Sequence, residues 1–392
     1  MCDASQLSTQ HSALSTLVAR APVRISFGGG GTDLAAYYER FGGLVVSAAI
    51  ARYCSVTAAD LPGGGIRITS ADYGLREDFA PGMPPPVEGT LALPKAAIEW
   101  FARQAGPALA RRGLDLTLSA EVPPGTGLGS SSAMAVALVR ALAARAGLAL
   151  DAAAVAEIAA RLEIERLGMP IGKQDQYAAS FGGLNRITFT AGGVAVTPLD
   201  LPPAVSAALD ERLLLFSTGR SRHSASILRR QRADTGADPA VTQSLHRIKA
   251  LAGEMHAALT AADLDRFGQL LDLGWQQKRR LSRGVSSTAI DGWYAAARAA
   301  GALGGKITGA GGGGFLLLYC EPERQGAVRA ALTGRGLREL PFAFDLTGAR
   351  VLSATEAGRS THHAPMMDAR PHAPLVPSPL PQSWGRGRGW GR

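Results

Sequence analysis

The sequence predicts a mixed α/β or α+β fold in two globular parts, and three observations support this. Short strand-like runs of apolar residues alternate with longer helical patterns from about residue 18 to residue 355. A Pro-rich stretch, DLPPAV at residues 200–205, interrupts the alternation and is predicted to be a domain hinge. The length of 392 residues is sufficient for one large core or two medium ones.

The first part, residues 18–200, contains both kinds of pattern. Alternating apolar residues predict strands in PVRISFGG, LVVSAAIARYCSVTAA, GIRITSADYG, DLTLSAEV, GLNRITF and AGGVAVTPL. Amphipathic and Ala-rich patterns predict helices over about 96–110, 131–146 and 151–167. Asp151 is the expected N-cap of the last of these, and Gly168 and Pro170 lie just beyond its end.

The second part, residues 206–355, is predicted to be richer in helix. Strands are expected in RLLLFST, in GKITGAGGGGFLLLYC and near 342–352, where the last one closes this domain. Helices are expected over about 222–234, 238–261, 263–282, 287–301 and 322–335. The flanks have no core-forming pattern, so we expect a flexible leader over 1–17 and a disordered Pro/Gly/Arg-rich tail over 356–392.

Composition excludes several classes of protein. The composition of 46% hydrophobic and 19% charged residues is typical of a globular enzyme. The net charge of +9 is spread along the chain, with no Lys/Arg block that would follow a nucleic-acid backbone. The three cysteines have no zinc spacing, and no apolar run is long enough to span a membrane. We therefore expect a cytoplasmic protein with neither nucleic-acid nor membrane partners.

The sharpest local signal is the loop PPGTGLGSSSAM, residues 123–134. A strand enters it and a helix leaves it, so backbone N–H groups and a helix N-terminus converge on one point and favour an anion such as phosphate. The loop lacks the lysine of a Walker A motif, and Ser130 stands where a Rossmann fingerprint has its last glycine. An ordinary turn with a serine N-cap is the alternative.

This loop resembles the second motif of the GHMP kinases, the family of galactokinase, homoserine kinase, mevalonate kinase and phosphomevalonate kinase. ARAPVRISFGGGGTD, residues 19–33, resembles the family's first motif, and GGKITGAGGGGFLLLY, residues 304–319, resembles its third. The resemblance implies an α+β fold, with a ribosomal S5 domain 2-like N-terminal domain and a ferredoxin-like C-terminal domain. It also implies ATP and Mg²⁺ as cofactors and an active site in the cleft between the domains.

The resemblance further implies roles for single residues. Asp175 is expected to be the general base and Arg24 to lie near the transferred phosphoryl group. Ser131 is the expected Mg²⁺ ligand, joined by an acidic residue that directly precedes a basic one, which favours Glu165 over Glu163. The residues expected to bind ATP are Pro123, Gly125, Gly127, Gly129, Ser130, Ser131 and Ser132.

The first motif implies the substrate. GGGTD replaces the GEHTD of galactokinase-like members, and FGGGGTDL, STGRSRHSASIL and QKRRLSRGVSS resemble the D-glycero-D-manno-heptose 7-phosphate kinases. The implied reaction gives the sugar 1,7-bisphosphate. The residues expected at the sugar phosphate are Gly30, Gly31, Thr32, Asp33, Arg220, Arg222, Lys278, Arg279, Lys306, Gly311 and Gly312.

Three alternatives stay open from the sequence. The enzyme could instead phosphorylate an unphosphorylated sugar, as a fucokinase-like or galactokinase-like member of the family would. The basic run that contains Lys278 and Arg279 could be a solvated helix face rather than a phosphate site. The protein could also be a degenerate kinase whose Arg-Gly tail binds RNA. Homo-oligomer formation is open as well.

Overall fold

The computed structural model describes residues 16–82, 84–105, 113–219, 224–235, 237–282, 284–353 and 356. The predicted tail over 357–392, and residues 1–15 of the predicted leader, lie outside this part of the chain. The strands are β1 Thr16–Gly28, β2 Gly43–Ala59, β3 Ile66–Ser70, β4 Leu75–Phe79, β5 Leu114–Ala120, β6 Leu184–Thr190, β7 Gly193–Pro198, β8 Leu213–Ser217, β9 Gly304–Ile307, β10 Phe315–Tyr319, β11 Arg338–Glu339 and β12 Arg350–Val351.

The sequence predicts all but the first, fifth and sixth of the eleven helices in the described residues. These eleven are α1 Ala35–Phe41, α2 Ala92–Ala105, α3 Ser130–Arg145, α4 Ala152–Arg161, α5 Gln174–Phe181, α6 Pro203–Arg212, α7 Ser224–Asp234, α8 Pro239–Thr260, α9 Leu264–Lys278, α10 Thr288–Ala299 and α11 Pro322–Thr333. A π-helical turn, Leu162–Arg166, continues α4. Asp151 caps α4 as predicted, because its side chain accepts from the N–H of Ala154. No described helix is long and apolar enough to cross a bilayer.

The larger sheet is built around β2. Its order is β12-β1-β2-β5-β3-β4, and β6 and β7 continue from one half of β2. Residues 43–48 of β2 pair with β6 and residues 54–59 with β5, so this one long strand supports two branches of the sheet. The β1–β2 register shifts at Pro22, which cannot donate to the ladder, and again between Ser26 and Gly28. The second shift lies at the end of β1 that carries the first glycine motif.

The smaller sheet, in the order β11-β8-β10-β9, is apolar on both faces. In β8, Leu213 and Leu215 face the core shared with the larger sheet, while Leu214 and Phe216 face α10 and α11. Burial on both sides explains why LLLF and FLLLY are continuous apolar runs rather than alternating ones. The chain passes from the first sheet to the second between Pro198 and Leu213, around the predicted hinge. That the two parts are separate domains remains a prediction.

Two predicted boundaries are wrong. Residues 16 and 17 belong to β1 and not to a leader, because they pair with the end of β2. The last strand, β12, pairs with β1 of the larger sheet rather than closing the second part. The segment before it also runs along the first part, since the N–H of Ala51 donates to the carbonyl of Ala343 and Gly183 to Asp345.

Helix α3 carries the second glycine motif into the core. Eleven of its sixteen residues are buried, five of them alanine, and it packs against β1, β2, α4 and α5. A helix that is apolar on nearly every side has to lie inside the protein. Its N-terminus is therefore held rigidly at the mouth of the site described next.

Candidate functional site

A cavity of about 150 Å³ lies where the N-terminus of α3 meets the end of β1 and the 309–310 loop. Its wall contains three basic and three acidic side chains among the described residues. They are Arg24, Lys278, Lys306, Asp33, Glu163 and Asp175. So many ionisable groups around one concave surface mark it as the candidate active site.

The second and third glycine motifs interlock at one side of the cavity. A Cβ atom on Gly127 would lie 2.8 Å from the carbonyl oxygen of Thr308, and one on Gly309 would lie 2.5 Å from the Cα of Gly127. A Cβ on Gly314 would lie 2.0 Å from the carbonyl oxygen of Thr126. Real Cβ atoms do not approach so closely, so glycine is needed where the two loops cross.

The first turn of α3 has no internal partner for its N–H groups. Its N-cap is Gly129, in the left-handed region at φ +78°, which brings no capping side chain, and the turn has no acidic residue. Ser130, Ser131 and Ser132 occupy this turn and line the cavity. Free N–H groups at the positive end of a helix are suited to bind an anion such as phosphate.

Glu163, and not Glu165, lies at this helix end. The hydroxyl of Ser131 donates to Oε1 of Glu163 at 2.6 Å, and Nε2 of Gln176 donates to Oε2 at 2.6 Å. Glu163 is 1% exposed, and burial raises the pKa of its carboxyl. Glu165 is exposed and does not line the cavity, so the prediction of Glu165 as the metal ligand is wrong.

The apolar stripe of α4 could have predicted that Glu163 faces the protein interior. Val155, Ala156 and Ala159 are buried on one helix face, and Glu163 follows four residues after Ala159 on that face. A carboxylate that continues a core-facing stripe needs a partner inside the protein. The pattern of an acidic residue before a basic one instead predicted Glu165, which lies on the opposite, exposed face of the helix.

Arg24 and Asp175 form a partly buried ion pair beside the same loop. Nη2 of Arg24 lies 2.6 Å from Oδ1 of Asp175, and Nε donates to the same oxygen at 2.7 Å. Nη1 donates to the carbonyl of Gly127 at 2.7 Å. A Cβ on Gly129 would lie 3.2 Å from Oδ2 of Asp175. The carboxylate is thus fixed within contact distance of the start of α3.

Asp33 holds the first glycine motif against the loop that leads to Asp175. Its Oδ1 accepts from the N–H of Gly31 at 2.8 Å and its Oδ2 from the N–H of Gln174 at 3.3 Å. Burial raises the pKa of Asp33, and the nearby charge of Asp175 adds to the shift. A Cβ on Gly172 would lie 2.0 Å from Oδ2 of Asp33, so only glycine fits there.

The two cavity lysines, Lys306 and Lys278, donate to backbone carbonyls of different segments. Lys306 is buried and donates to the carbonyls of Ser26 at 2.6 Å and Phe27 at 3.1 Å, so it ties β9 to the end of β1. Lys278 donates to the carbonyls of Gly309 and Ile307. Removal from water lowers the pKa of Lys278 to about 8, and the charge of Arg24 contributes to the shift.

Several predicted substrate residues lie elsewhere. Arg279 pairs with Asp291 at 3.0 Å outside the cavity, which corrects its placement at the substrate. The Thr32 hydroxyl donates to the carbonyls of Gly29 and Leu44 within the fold. Three other predicted site residues are also absent from the cavity wall, and two lie outside the described residues. The absent ones are Pro123, Gly311 and Gly312, and the undescribed ones are Arg220 and Arg222.

Three polar residues of the wall were missed, and they are Ser26, Gln174 and Gln231. Ser26 stands inside the first motif, and Gln174 directly precedes Asp175, so proximity to motif residues was a usable signal for both. Gln231 lies in α7 in an Arg-rich stretch that reads as a solvated helix. Only the packing of α7 against the glycine motif brings it to the cavity.

Family models match both parts of the chain. The model described as GHMP kinases N terminal domain matches residues 92–183, and the one described as GHMP kinases C terminal matches residues 255–337. The D-glycero-alpha-D-manno-heptose 7-phosphate kinase of Campylobacter jejuni is 30% identical over 315 residues, which cover 80% of this chain and 91% of that protein.

Two further similarities come from Bacteroides. The crystal structure of a D-glycero-D-manno-heptose 1-phosphate kinase from Bacteroides thetaiotaomicron superposes with a TM-score of 0.72 at 28% identity, covering 86% of this chain and 99% of that one. The L-fucokinase/L-fucose-1-P guanylyltransferase of Bacteroides fragilis is 29% identical over 350 residues, which cover 80% of this chain but 36% of that protein.

Proposed function

Because the chain belongs to the GHMP kinase family, we propose that it transfers the γ-phosphoryl group of ATP to the anomeric hydroxyl of D-glycero-D-manno-heptose 7-phosphate. The product is the 1,7-bisphosphate, an intermediate suited to making nucleotide-activated heptose for surface polysaccharide. The observation that carries the proposal is the joint placement of the Arg24–Asp175 pair and the uncapped α3 N-terminus on one cavity. As an ATP-consuming enzyme, it is assigned to the cytoplasm.

The nucleotide phosphates are assigned to the loop at the start of α3. Its free backbone N–H groups offer donors without any side-chain cap in competition, and Ser130 lies beside them in the cavity wall. Gly127 and Gly129 keep this surface free of Cβ atoms, so phosphate oxygens can reach the backbone. Loop rigidity follows from the interlock with the third motif and reduces the ordering cost of binding.

Ser131 and Glu163 are suited to hold Mg²⁺. Their oxygens are 2.6 Å apart at the helix end, and they are the hard ligands that Mg²⁺ prefers. The described residues contain no cluster of three or more His, Cys, Asp or Glu that could hold a metal. Mg²⁺ in kinases needs no such cluster, since substrate phosphates and water complete its shell. When bound, the ion neutralises charge on the phosphates.

Asp175 is assigned to the acceptor hydroxyl. As the sugar oxygen forms its bond to the γ-phosphorus, the bond from that phosphorus to the β–γ bridging oxygen breaks, and the hydroxyl proton passes to the Asp175 carboxylate. Arg24 fixes one oxygen of this carboxylate while Oδ2 faces Gly129. The guanidinium also lies where negative charge develops on the transferred group.

The names of the two heptose kinases place the substrate phosphate on different carbons, so they support a heptose phosphate in general. The 7-phosphate is favoured by the glycine-rich first motif and by the 30% identity to the heptose 7-phosphate kinase of Campylobacter jejuni. Lys278 and Lys306 each donate to two backbone carbonyls and line the cavity. Lys278 is assigned to that phosphate because it is partly exposed, whereas Lys306 is buried. The fucokinase similarity supports the alternative acceptor, an unphosphorylated sugar.

A substrate panel tests the proposal. Purified full-length protein would be assayed for ADP release with D-glycero-D-manno-heptose 7-phosphate, heptose 1-phosphate, L-fucose, D-galactose and D-mannose, each with and without Mg²⁺. The expected result is a kcat/KM for the 7-phosphate at least tenfold above every other sugar. Equal or better turnover of a free sugar would support the fucokinase-like alternative instead.

A further inference from the structure

Three buried polar atoms at the cavity have no hydrogen-bond partner within the described part of the chain. They are Oγ of Ser26, Oε1 of Gln174 and Nε2 of Gln231. Ser26 is 5% exposed and Gln231 is 4% exposed. A polar group that is shielded from water without a hydrogen-bond partner destabilises the fold. Three such groups along one cavity wall indicate a ligand that supplies the missing partners.

The three atoms surround the first glycine motif. A Cβ atom placed on Gly30 would lie 3.7 Å from Oγ of Ser26 and 3.7 Å from Nε2 of Gln174. One placed on Gly31, which has φ +100°, would lie 2.4 Å from Nε2 of Gln231. The glycines therefore allow the three side chains to approach a common space, and any side chain at position 31 would displace the Gln231 amide.

From this arrangement we infer that Gln231 is a specificity-determining residue that donates a hydrogen bond to a hydroxyl of the sugar acceptor, with Ser26 and Gln174 on the same hydroxyl-bearing face. The inference rests on the proposed function for its ligand class, a polyhydroxylated sugar. An amide N–H, an amide carbonyl and a hydroxyl together can both donate and accept, which matches neighbouring hydroxyls. They carry no charge, so they do not suit a phosphate.

The placement of Gln231 on α7 gives it a role that the motif residues cannot have. Asp33, Arg24 and Asp175 are committed to internal hydrogen bonds, so they position the chemistry and do not distinguish one sugar from another. A free amide binds a sugar with a hydroxyl at one position more tightly than a sugar that lacks it, because the amide otherwise stays unpaired. Sugar selection thus depends on the second part of the chain.

The test compares Gln231→Leu with the wild type. Leucine keeps the bulk and removes the amide, so KM for the accepted sugar should rise about 10- to 100-fold, the effect of leaving one buried hydroxyl unpaired. KM for ATP should stay within twofold. Thermal stability should be equal or higher, because an unsatisfied buried amide is replaced by an apolar side chain.

The matched control is Gln243→Leu, an exposed glutamine on the neighbouring α8. It should change none of the kinetic constants. A purely structural role for Gln231 predicts the opposite pattern, with lower thermal stability and equal loss for ATP and sugar. Either that pattern or an unchanged KM for the sugar would overturn the inference.

The same panel separates this inference from the proposed function. If the wild type prefers a free hexose over the heptose phosphate, the proposed substrate is wrong, and the Gln231→Leu comparison is then made on that hexose. A selective rise in its KM still supports Gln231 as the residue that reads the sugar. If the heptose 7-phosphate is preferred but the variant matches the wild type, the function stands and the inference fails.

Discussion

The two sides of the cleft differ in how their polar atoms are satisfied. On the side proposed to bind the nucleotide phosphates, called the phosphate side, the groups bind one another. On the side proposed to bind the sugar, called the sugar side, three polar atoms have no partner within the described residues. The phosphate side consists of Arg24, Gly127, Ser131, Glu163 and Asp175. The sugar side consists of Ser26, Gly30, Gly31, Gln174 and Gln231. Internal partners fix catalytic geometry before a substrate arrives, whereas open partners let the substrate complete the site.

If this division is correct, changes on the phosphate side should lower kcat and changes on the sugar side should raise KM for the sugar. The largest effect is expected at Asp175. Asp175→Asn keeps the shape but cannot take the hydroxyl proton, so kcat should fall roughly 10³-fold while ATP still binds. Single-turnover assays with calorimetric measurement of ATP binding would show this. Retained turnover would mean that another group accepts the proton.

The second largest effect distinguishes Glu163 from the nearby Glu165. Glu163→Gln should lower kcat about 100-fold and raise the Mg²⁺ concentration needed for half-maximal rate, since a hard anionic ligand is lost. Glu165→Gln is the matched control on the exposed face of the same turn, and it should leave both quantities within twofold of wild type. Assays over a Mg²⁺ series measure this. Equal effects in the two variants would contradict the assignment of Glu163.

The smallest effect on kinetics is expected at Lys278, which lies between the two sides. With a pKa of about 8, its ammonium is about nine-tenths charged at pH 7 and one-tenth charged at pH 9. If it attracts the sugar phosphate, kcat/KM for that substrate should fall about tenfold over this range. Lys278→Arg should flatten the profile, because arginine stays charged. Arg279→Met, which alters a surface ion pair, should keep the wild-type profile.

The sign of the stability change at Lys278 follows from the same shift. The folded pKa is depressed below the usual 10.5, so the unfolded chain binds more protons between pH 8 and 10.5. The free energy of unfolding contributed by this group therefore rises as the pH increases through that window. Binding and stability should thus move in opposite directions above pH 8, which distinguishes loss of ligand charge from loss of fold.

Periodicity predicted the elements well because burial in this fold follows local pattern. α8 and α9 were expected over 238–261 and 263–282 and occur at Pro239–Thr260 and Leu264–Lys278. The motifs placed Arg24, Ser131 and Asp175 on one cavity. The position of Gln231 at the cavity could not be predicted in this way, because it depends on how α7 packs against a motif two hundred residues earlier. No local signal reports such a contact.

The pairing of β12 with β1 has a consequence for how the chain folds. Leu352 donates its N–H to Val18, so one edge of the larger sheet is completed by residues that follow the whole second part. During synthesis β1 has an unpaired edge until those residues leave the ribosome. Contacts so distant in sequence slow folding and leave an edge exposed to other chains. Folding of the first sheet is therefore coupled to translation of the second.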